Sequence, residues 1–312
     1  MPKLAAFPKA YMVDLCKTGA MSLDEWIDLA SKLDVAGLEF YAGFLDLEDR
    51  TRWAHYKRSA ANAGLEIPMM CCSPDFCSPD PTYIAGQIER EKFWIEMCAE
   101  LGGQYCRVLS GQRHPEVSRE DGLAIVSDAI HECAAFAEDF GVTMILENHY
   151  KDDFWTYPEF AQFADVFFDL VSRIRATNFG VNYDPSNALV AGDDPIELLD
   201  SVIDKVVTMH ASDRHLKSGT LEDLRAEENV EGYVARLKHG EIGQGLIDYD
   251  AVFSRLARAG FDGWISIEDG VDGFEQLERS VAFLRGNISK HWPVPAHGQR
   301  VGQSPNTDRG IS

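Results

Sequence analysis

The feature that most constrains this chain is a strict alternation of apolar, strand-like runs with amphipathic helical stretches. The strand runs are Lys3–Phe7, Gly37–Tyr41, Leu65–Cys72, Gln104–Leu109, Val142–Leu146, Phe179–Tyr183, Val206–Met209 and Trp264–Ile267. Helix starts are marked between them. Ser22 with Glu25 three residues on forms a capping box, and Ser118 and Asp248 stand as caps. Pro158 and the pair Asp194-Pro195 sit where a helix can open, because a missing N–H is tolerated there. Helix stops fall on Gly64, Gly102-Gly103, Gly141 and Gly260. Apolar residues at helical spacing mark buried faces: Trp26, Leu29, Ala30 and Leu33 in one helix, Val126, Ile130, Cys133, Ala137 and Phe140 in another.

Such alternation calls for parallel strands joined by right-handed crossovers. Eight units in about 290 residues fit a closed (β/α)8 barrel of the TIM type better than an open sheet. The 312 residues therefore divide into a barrel over 1–289 and a tail over 290–312. The tail holds Pro293, Pro295, Gly298, Gly302, Pro305 and Gly310 and little apolar content, so it is expected to be flexible or an arm docked on a neighbour. One insertion interrupts the repeat, the charge-rich stretch Lys217–Gly240 after the seventh strand. On a barrel it would lie on the active-site face, as a lid or as a solvated surface helix.

Charge narrows the function classes. The chain has 29 Lys and Arg against 51 Asp and Glu, a net charge of −22. That argues against nucleic-acid and anionic-membrane partners, which need clustered basic residues. No apolar run approaches the roughly 20 residues of a membrane span. The first residues lack a signal-peptide core. The 7 cysteines, with no CxxC spacing, read as reduced and mostly buried thiols, so a cytoplasmic protein is expected.

Barrel enzymes carry their chemistry at the C-terminal ends of the strands. Four consecutive ends here bear Glu147, Asp184, His210 and Glu268. Three converging carboxylates cannot all ionise without compensation, and a divalent cation supplies it. Oxygen-rich ligation with one nitrogen favours Mn2+, with Mg2+ and Co2+ as alternatives, over a thiolate-type zinc site. His149, two residues beyond Glu147, is either an extra base on the rim or a hydrogen-bonding support for a ligand. The aromatic stretch Tyr150–Tyr157, with Trp155, would stack on a sugar or pack beneath its loop. Glu39, Arg107, Arg113 and Lys217 also fall on the catalytic face, as contacts for substrate hydroxyls.

At these residues the sequence resembles the xylose-isomerase-like barrels, the sugar phosphate isomerase/epimerase superfamily. The matching segments are Glu147-Asn-His149, Asp184-Pro-Ser-Asn187, His210-Ala-Ser-Asp213, and Gly243-Gln-Gly245 through Glu268. The resemblance implies one divalent metal on Glu147, Asp184, His210 and Glu268, with the two glutamates flanking the substrate as acid and base. A sugar carbonyl and a neighbouring hydroxyl would chelate that metal, which stabilises the enediolate left when the α-proton departs. Asn187 and Asp213 are further expected substrate contacts.

Departures narrow the reaction. Ketose 3-epimerases of this superfamily place a His where Asn187 stands, and a short His-x-x-Glu segment leading to a substrate-binding Arg where this chain has Asp213, Arg214 and His215. That counts against free ketohexose 3-epimerisation. Asn187 and the charge of −22 likewise count against the related apurinic endonucleases with their three-metal cluster. The pattern is also similar to the large subunit of C-glycoside deglycosidases. That similarity implies a 3-keto glycoside substrate, a small β-rich partner subunit and His149 as the base. The expected activity is thus a metal-dependent sugar isomerase or epimerase, with β-elimination from a 3-keto glycoside as the alternative. A sugar or glycoside is the expected substrate. A homo-oligomer is the expected assembly, or a complex with a small subunit under the second alternative. A non-catalytic sugar-binding barrel would be expected to have lost a ligand, and all four are present.

Overall fold

Eight parallel strands close on themselves in the computed structural model, which describes residues 1–45, 49–152, 155–220, 223, 236–268 and 271–293. They are β1 (Lys3–Ala6), β2 (Gly37–Tyr41), β3 (Glu66–Cys71), β4 (Tyr105–Val108), β5 (Thr143–Glu147), β6 (Phe179–Tyr183), β7 (Val206–Ala211) and β10 (Trp264–Ile267). Each pairs with its sequence neighbour, and β1 closes the barrel on β10. The helices between them are α1 (Leu23–Ala30), α2 (Arg50–Asn62), α3 (Pro81–Leu101), α4 (Arg119–Glu138), α5 (Ala164–Arg173), α6 (Pro185–Val190), α7 (Pro195–Val202), α8 (Tyr249–Arg258) and α9 (Phe274–His291).

Strand side chains alternate between two destinations, as the period of two demands. Leu4, Ala6, Met70, Met144 and Leu146 join the large core under the helices. Their neighbours Ala5, Met69 and Ile145 pack with Trp264 in a separate cluster, which plugs the barrel interior. Gly37 makes room for that plug, since a Cβ there would stand 2.9 Å from the Trp264 ring. Two and four residues further along the strands, the same inward parity reaches Glu39, Cys71, Arg107, Glu147, His210 and Glu268. The candidate residues are therefore the top layer of the lumen.

The helix caps sit where the sequence places them. Ser22 and Glu25 form the capping box, Ser118 accepts from the Asp121 N–H, and Asp248 accepts from the Ala251 N–H. Pro158 does not open a helix. Its carbonyl accepts from the Arg113 N–H, Gln112 bridges to Glu159, and α5 begins only at Ala164. Phe140 lies beyond the end of α4, 40% exposed and in contact with Phe136. The short helix α6, capped by Asp184, has no counterpart in the expected pattern.

The insertion after β7 opens with an antiparallel ribbon, β8 (Arg214–Leu216) against β9 (Leu237–His239). Most of what this ribbon encloses, where a lid or surface helix was expected, lies outside the described residues. So does the tail beyond residue 293. Helix α9 runs through the expected boundary at 289 to His291, and Trp292 then donates its indole N–H to the Phe261 carbonyl. Among the described residues, no helix is long and apolar enough to cross a membrane.

Candidate metal centre

Four strand ends deliver the four expected ligands to one place. Donor atoms of Glu147, Asp184, His210 and Glu268 all lie within 4.8 Å of one another, and all four residues are buried. Glu147 ends β5, His210 lies on β7, and Glu268 follows β10. Asp184 caps α6, its Oδ1 accepting from the Ser186 and Asn187 N–H groups. Its Oδ2 accepts from the Asn187 amide, which also donates to Glu147.

The imidazole of His210 is oriented from behind. Its Nε2 lies 3.0 Å from Glu39 Oε1, and its Nδ1 lies 3.1 Å from Glu147 Oε1 and 3.6 Å from Glu268 Oε2. Burial disfavours the imidazolium, but the charges of Glu39 and Glu147 outweigh it, raise the pKa and favour the protonated ring, which donates to both; an ion at Nδ1 would displace that proton and leave the Nε2 N–H on Glu39. Glu39 is wholly buried and also accepts from the Cys71 thiol at 2.8 Å. Its contacts are with His210 and Cys71, and it does not line the cavity that opens onto the site.

Two cations, the buried Arg107 and the half-buried Lys9, steady the carboxylates. Arg107 donates to Glu147 Oε2 at 2.6 Å, and Lys9 donates to Glu268 Oε1 at 3.0 Å. Burial pushes the Glu147 carboxyl up, but the charges of His210 and Arg107 outweigh it and hold the group at about 2. Glu268 is likewise held well below the usual carboxylate range: burial raises it, and Lys9 and His210 overcome that. Asp184 goes the other way. Burial, with repulsion from Glu147 and Glu268, lifts it to about 6. A buried site that raises one of its own carboxylates in this way fits a divalent cation, and three oxygens with one nitrogen fit a hard-to-borderline ion.

A cavity of about 260 Å3 opens onto this layer, lined by Lys9, Tyr41, Arg107, His149, Tyr150 and Glu268 among others. His149 Nδ1 lies 3.2 Å from Glu159 Oε2. The other oxygen of Glu159 accepts from the backbone N–H and the hydroxyl of Ser110. Burial disfavours the His149 imidazolium, but the hydrogen bond to Glu159 and the charge of Glu147 raise its pKa. Tyr150 stacks on His149 with ring centroids 4.9 Å apart.

The remaining expected contacts are placed differently. The Arg113 guanidinium stands over Phe163, 5.1 Å from the ring centre. Trp155 lines a neighbouring hollow with Tyr41, Gln112 and Asp152. Lys217 is exposed. Asp213 is buried and accepts four backbone N–H groups, from Arg214, Gly243, Gly245 and Ile247. Lys9, three residues beyond β1, carries no signal of its own in the sequence, because a lone lysine after a strand reads as a surface charge. Glu159 carries no local signal, because it reaches His149 only through the path of its loop.

Residues 27–286 match the family described as xylose isomerase-like TIM barrel. The chain belongs to that family. It is 24% identical over 203 residues to an inosose dehydratase from Geobacillus kaustophilus, covering 61% of this chain and 63% of that protein. The chain thus spans less than two thirds of the length of this curated relative. Among solved structures it is similar to a D-tagatose 3-epimerase-like protein, with TM-score 0.72, 19% identity, and coverage of 93% of this chain and 98% of the other. An IOLI protein with a bound zinc atom gives TM-score 0.69 at 19% identity, covering 93% and 97%. The 3-keto-D-glucoside 4-epimerase YcjR from E. coli gives TM-score 0.65 at 16% identity, covering 92% and 100%. At these identities the structural likeness establishes the fold.

Proposed function

We propose that this protein is a divalent-metal-dependent enzyme of the sugar isomerase/epimerase type, which removes the proton α to a sugar carbonyl. The observation that carries this reading is the four-donor cluster at the top of the lumen, facing a cavity whose wall holds His149. Glu147, Asp184, His210 and Glu268 would hold the ion. When bound, it supplies Lewis-acid stabilisation of the negative charge that develops on the sugar oxygens. Mn2+ heads the ions expected from the donor set, and the zinc-bound neighbour adds zinc to the ions to test.

The protein groups divide the remaining work. Arg107 and Lys9 keep Glu147 and Glu268 ionised as ligands. His149 accepts the α-proton, and Glu159 fixes the ring and stabilises the imidazolium that results. In this division His149 takes the proton-transfer role, while the paired glutamates serve chiefly as ligands. Reprotonation on another face or carbon gives epimerisation or isomerisation. Loss of a β-substituent gives elimination, and the rim base supports that second outcome on a 3-keto glycoside. Relatives named epimerase and dehydratase accord with both outcomes.

The deciding experiment is incubation in D2O with Mn2+, presenting keto-sugars, inosose and 3-keto glycosides in turn. Deuterium wash-in with the skeleton retained supports isomerase or epimerase chemistry. Release of water or aglycone supports the lyase. Neither outcome with any compound in the panel would overturn the proposal.

A further inference from the structure

On the outer side of the same wall, where helix α3 covers β3 and β4, three metal-ligating side chains meet away from the lumen. Cys72 directly follows β3, Cys106 lies on β4, and Glu91 projects from α3; all three are fully buried. The Cys72 and Cys106 sulfurs are 3.8 Å apart, and Cys106 Sγ is 3.5 Å from Glu91 Oε1. Each of the three offers a donor atom within 4.8 Å of the others.

These spacings have a specific meaning. Zinc–sulfur bonds of about 2.3 Å and zinc–oxygen bonds of about 2.0 Å, at a tetrahedral angle, put two sulfurs roughly 3.8 Å apart and a sulfur and an oxygen roughly 3.5 Å apart. The Cys72–Cys106 and Cys106–Glu91 distances match that geometry, and Cys72 and Glu91 lie within 4.8 Å of each other. A second observation points the same way. Glu91 is 0% exposed, yet its Oε2 has no hydrogen-bond partner among the described residues. A buried carboxyl left with a single weak S–H donor needs a further counterpart. Burial lifts the Glu91 carboxyl to about 8 and the Cys72 thiol to about 12.

We propose that Cys72, Cys106 and Glu91 form a second metal site, structural and thiolate-rich, that takes a zinc-type divalent ion in the core between α3 and the barrel wall. Two thiolates and a carboxylate leave one negative charge on such a complex, and the field of the Arg107 guanidinium, itself paired with Glu147, reaches Glu91. The nearby Cys98 thiol donates to the Tyr105 carbonyl at 3.2 Å and is not one of the three donors. Because the donors are buried, the ion enters as the chain folds, and the two thiols lose their protons on binding. The inference does not rest on the proposed activity, and the site is chemically unlike the oxygen-rich centre at the barrel mouth.

The test is metal content and spectrum of the whole chain produced in medium supplemented with Zn2+ or Co2+. EDTA applied to the folded protein should strip the mouth site, which opens onto the cavity, and leave one ion per chain, released only on denaturation. The cobalt form should then keep a thiolate-to-metal charge-transfer band. That band should survive in D184N and in C71S, which touch only the lumen side, weaken in C72S and in C106S, and vanish in the double serine variant. E91Q keeps both thiols, and it should retain the band but lose its resistance to EDTA. This last variant guards against the serine variants failing to fold. EDTA-treated wild-type protein free of metal and of the band would overturn the proposal. So would a band undiminished in both serine variants.

Discussion

Asp213 offers the sharpest test of whether a residue next to the metal motif acts on substrate or on the backbone. Its Oδ1 accepts from the N–H groups of Arg214 and Ile247 at 2.9 and 3.1 Å, and its Oδ2 from Gly243 and Gly245 at 2.9 and 3.0 Å. It thereby pins the 243–247 turn to the end of β7. Asn in its place keeps one oxygen and presents an NH2 group to two N–H donors. Two buried hydrogen bonds to a charged acceptor are lost, each contributing about 1.5–3 kcal/mol, so D213N should destabilise the fold by about 3–6 kcal/mol. With an unfolding entropy of about 2 cal/mol/K per residue over 312 residues, that becomes a Tm lower by about 5–9 °C. Thermal and urea denaturation of wild-type and variant protein measure it, with an unchanged m-value confirming that the same transition is compared. A Tm within a degree of wild type, together with a raised KM, would refute the clamp and return Asp213 to the substrate.

Three further outcomes follow from the geometry. H149N should lower kcat by about 10²–10⁴-fold while leaving metal content at the barrel mouth unchanged, as steady-state kinetics beside metal analysis would read; unaltered turnover removes His149 from the chemistry. D184N should lose the EDTA-sensitive ion and with it deuterium wash-in, and full metal retention would contradict the ligand assignment. G111A should destabilise by more than about 1 kcal/mol in a melting assay, because Gly111 has φ +97° and a Cβ there would stand 2.4 Å from the Cys77 backbone nitrogen; an unshifted Tm would mean that this loop yields freely.

Much of the barrel was legible because its strands are buried on both faces and its helices on one. Buried parallel strands read as continuous apolar runs, and caps and glycine stops punctuate the helices. The misreadings have local causes. Pro158 satisfies the rule for a helix start, yet the chain there is committed elsewhere: Glu159 binds Ser110 across the barrel mouth, and only after that anchor can α5 begin. Helix α6 is six residues long, too short to show a period. That Glu147, Asp184, His210 and Glu268 converge was legible because each ends a strand with inward parity. Contacts made through loops were not, since neither Glu159 beside His149 nor Lys9 beside Glu268 follows from spacing along the chain. Glu39 was found as a catalytic-face residue, but its partner His210 lies 171 residues away, so its supporting role appears only in three dimensions.

The alternation that closes the barrel also places two different chemistries back to back. Cys71 and Cys72 are adjacent, as are Cys106 and Arg107, and the period of two sends each pair to opposite sides of the wall. Cys71 donates to Glu39 and Arg107 to Glu147 in the lumen, while Cys72 and Cys106 meet Glu91 under α3. Anything that fixes the outer pair therefore fixes the backbone from which the inner pair reaches the candidate ligands. Arg107 also donates its Nε–H to the Cys72 carbonyl, a direct tie between β4 and the end of β3 at the level of the site. An ion held by Cys72 and Cys106 would brace that tie from behind. It would restrict the relative sliding of two strands whose pairing is given by only two register positions, Met69 with Tyr105 and Met70 with Cys106. The thiol cluster would then matter to the metal centre through strand position alone, with no atom shared between them.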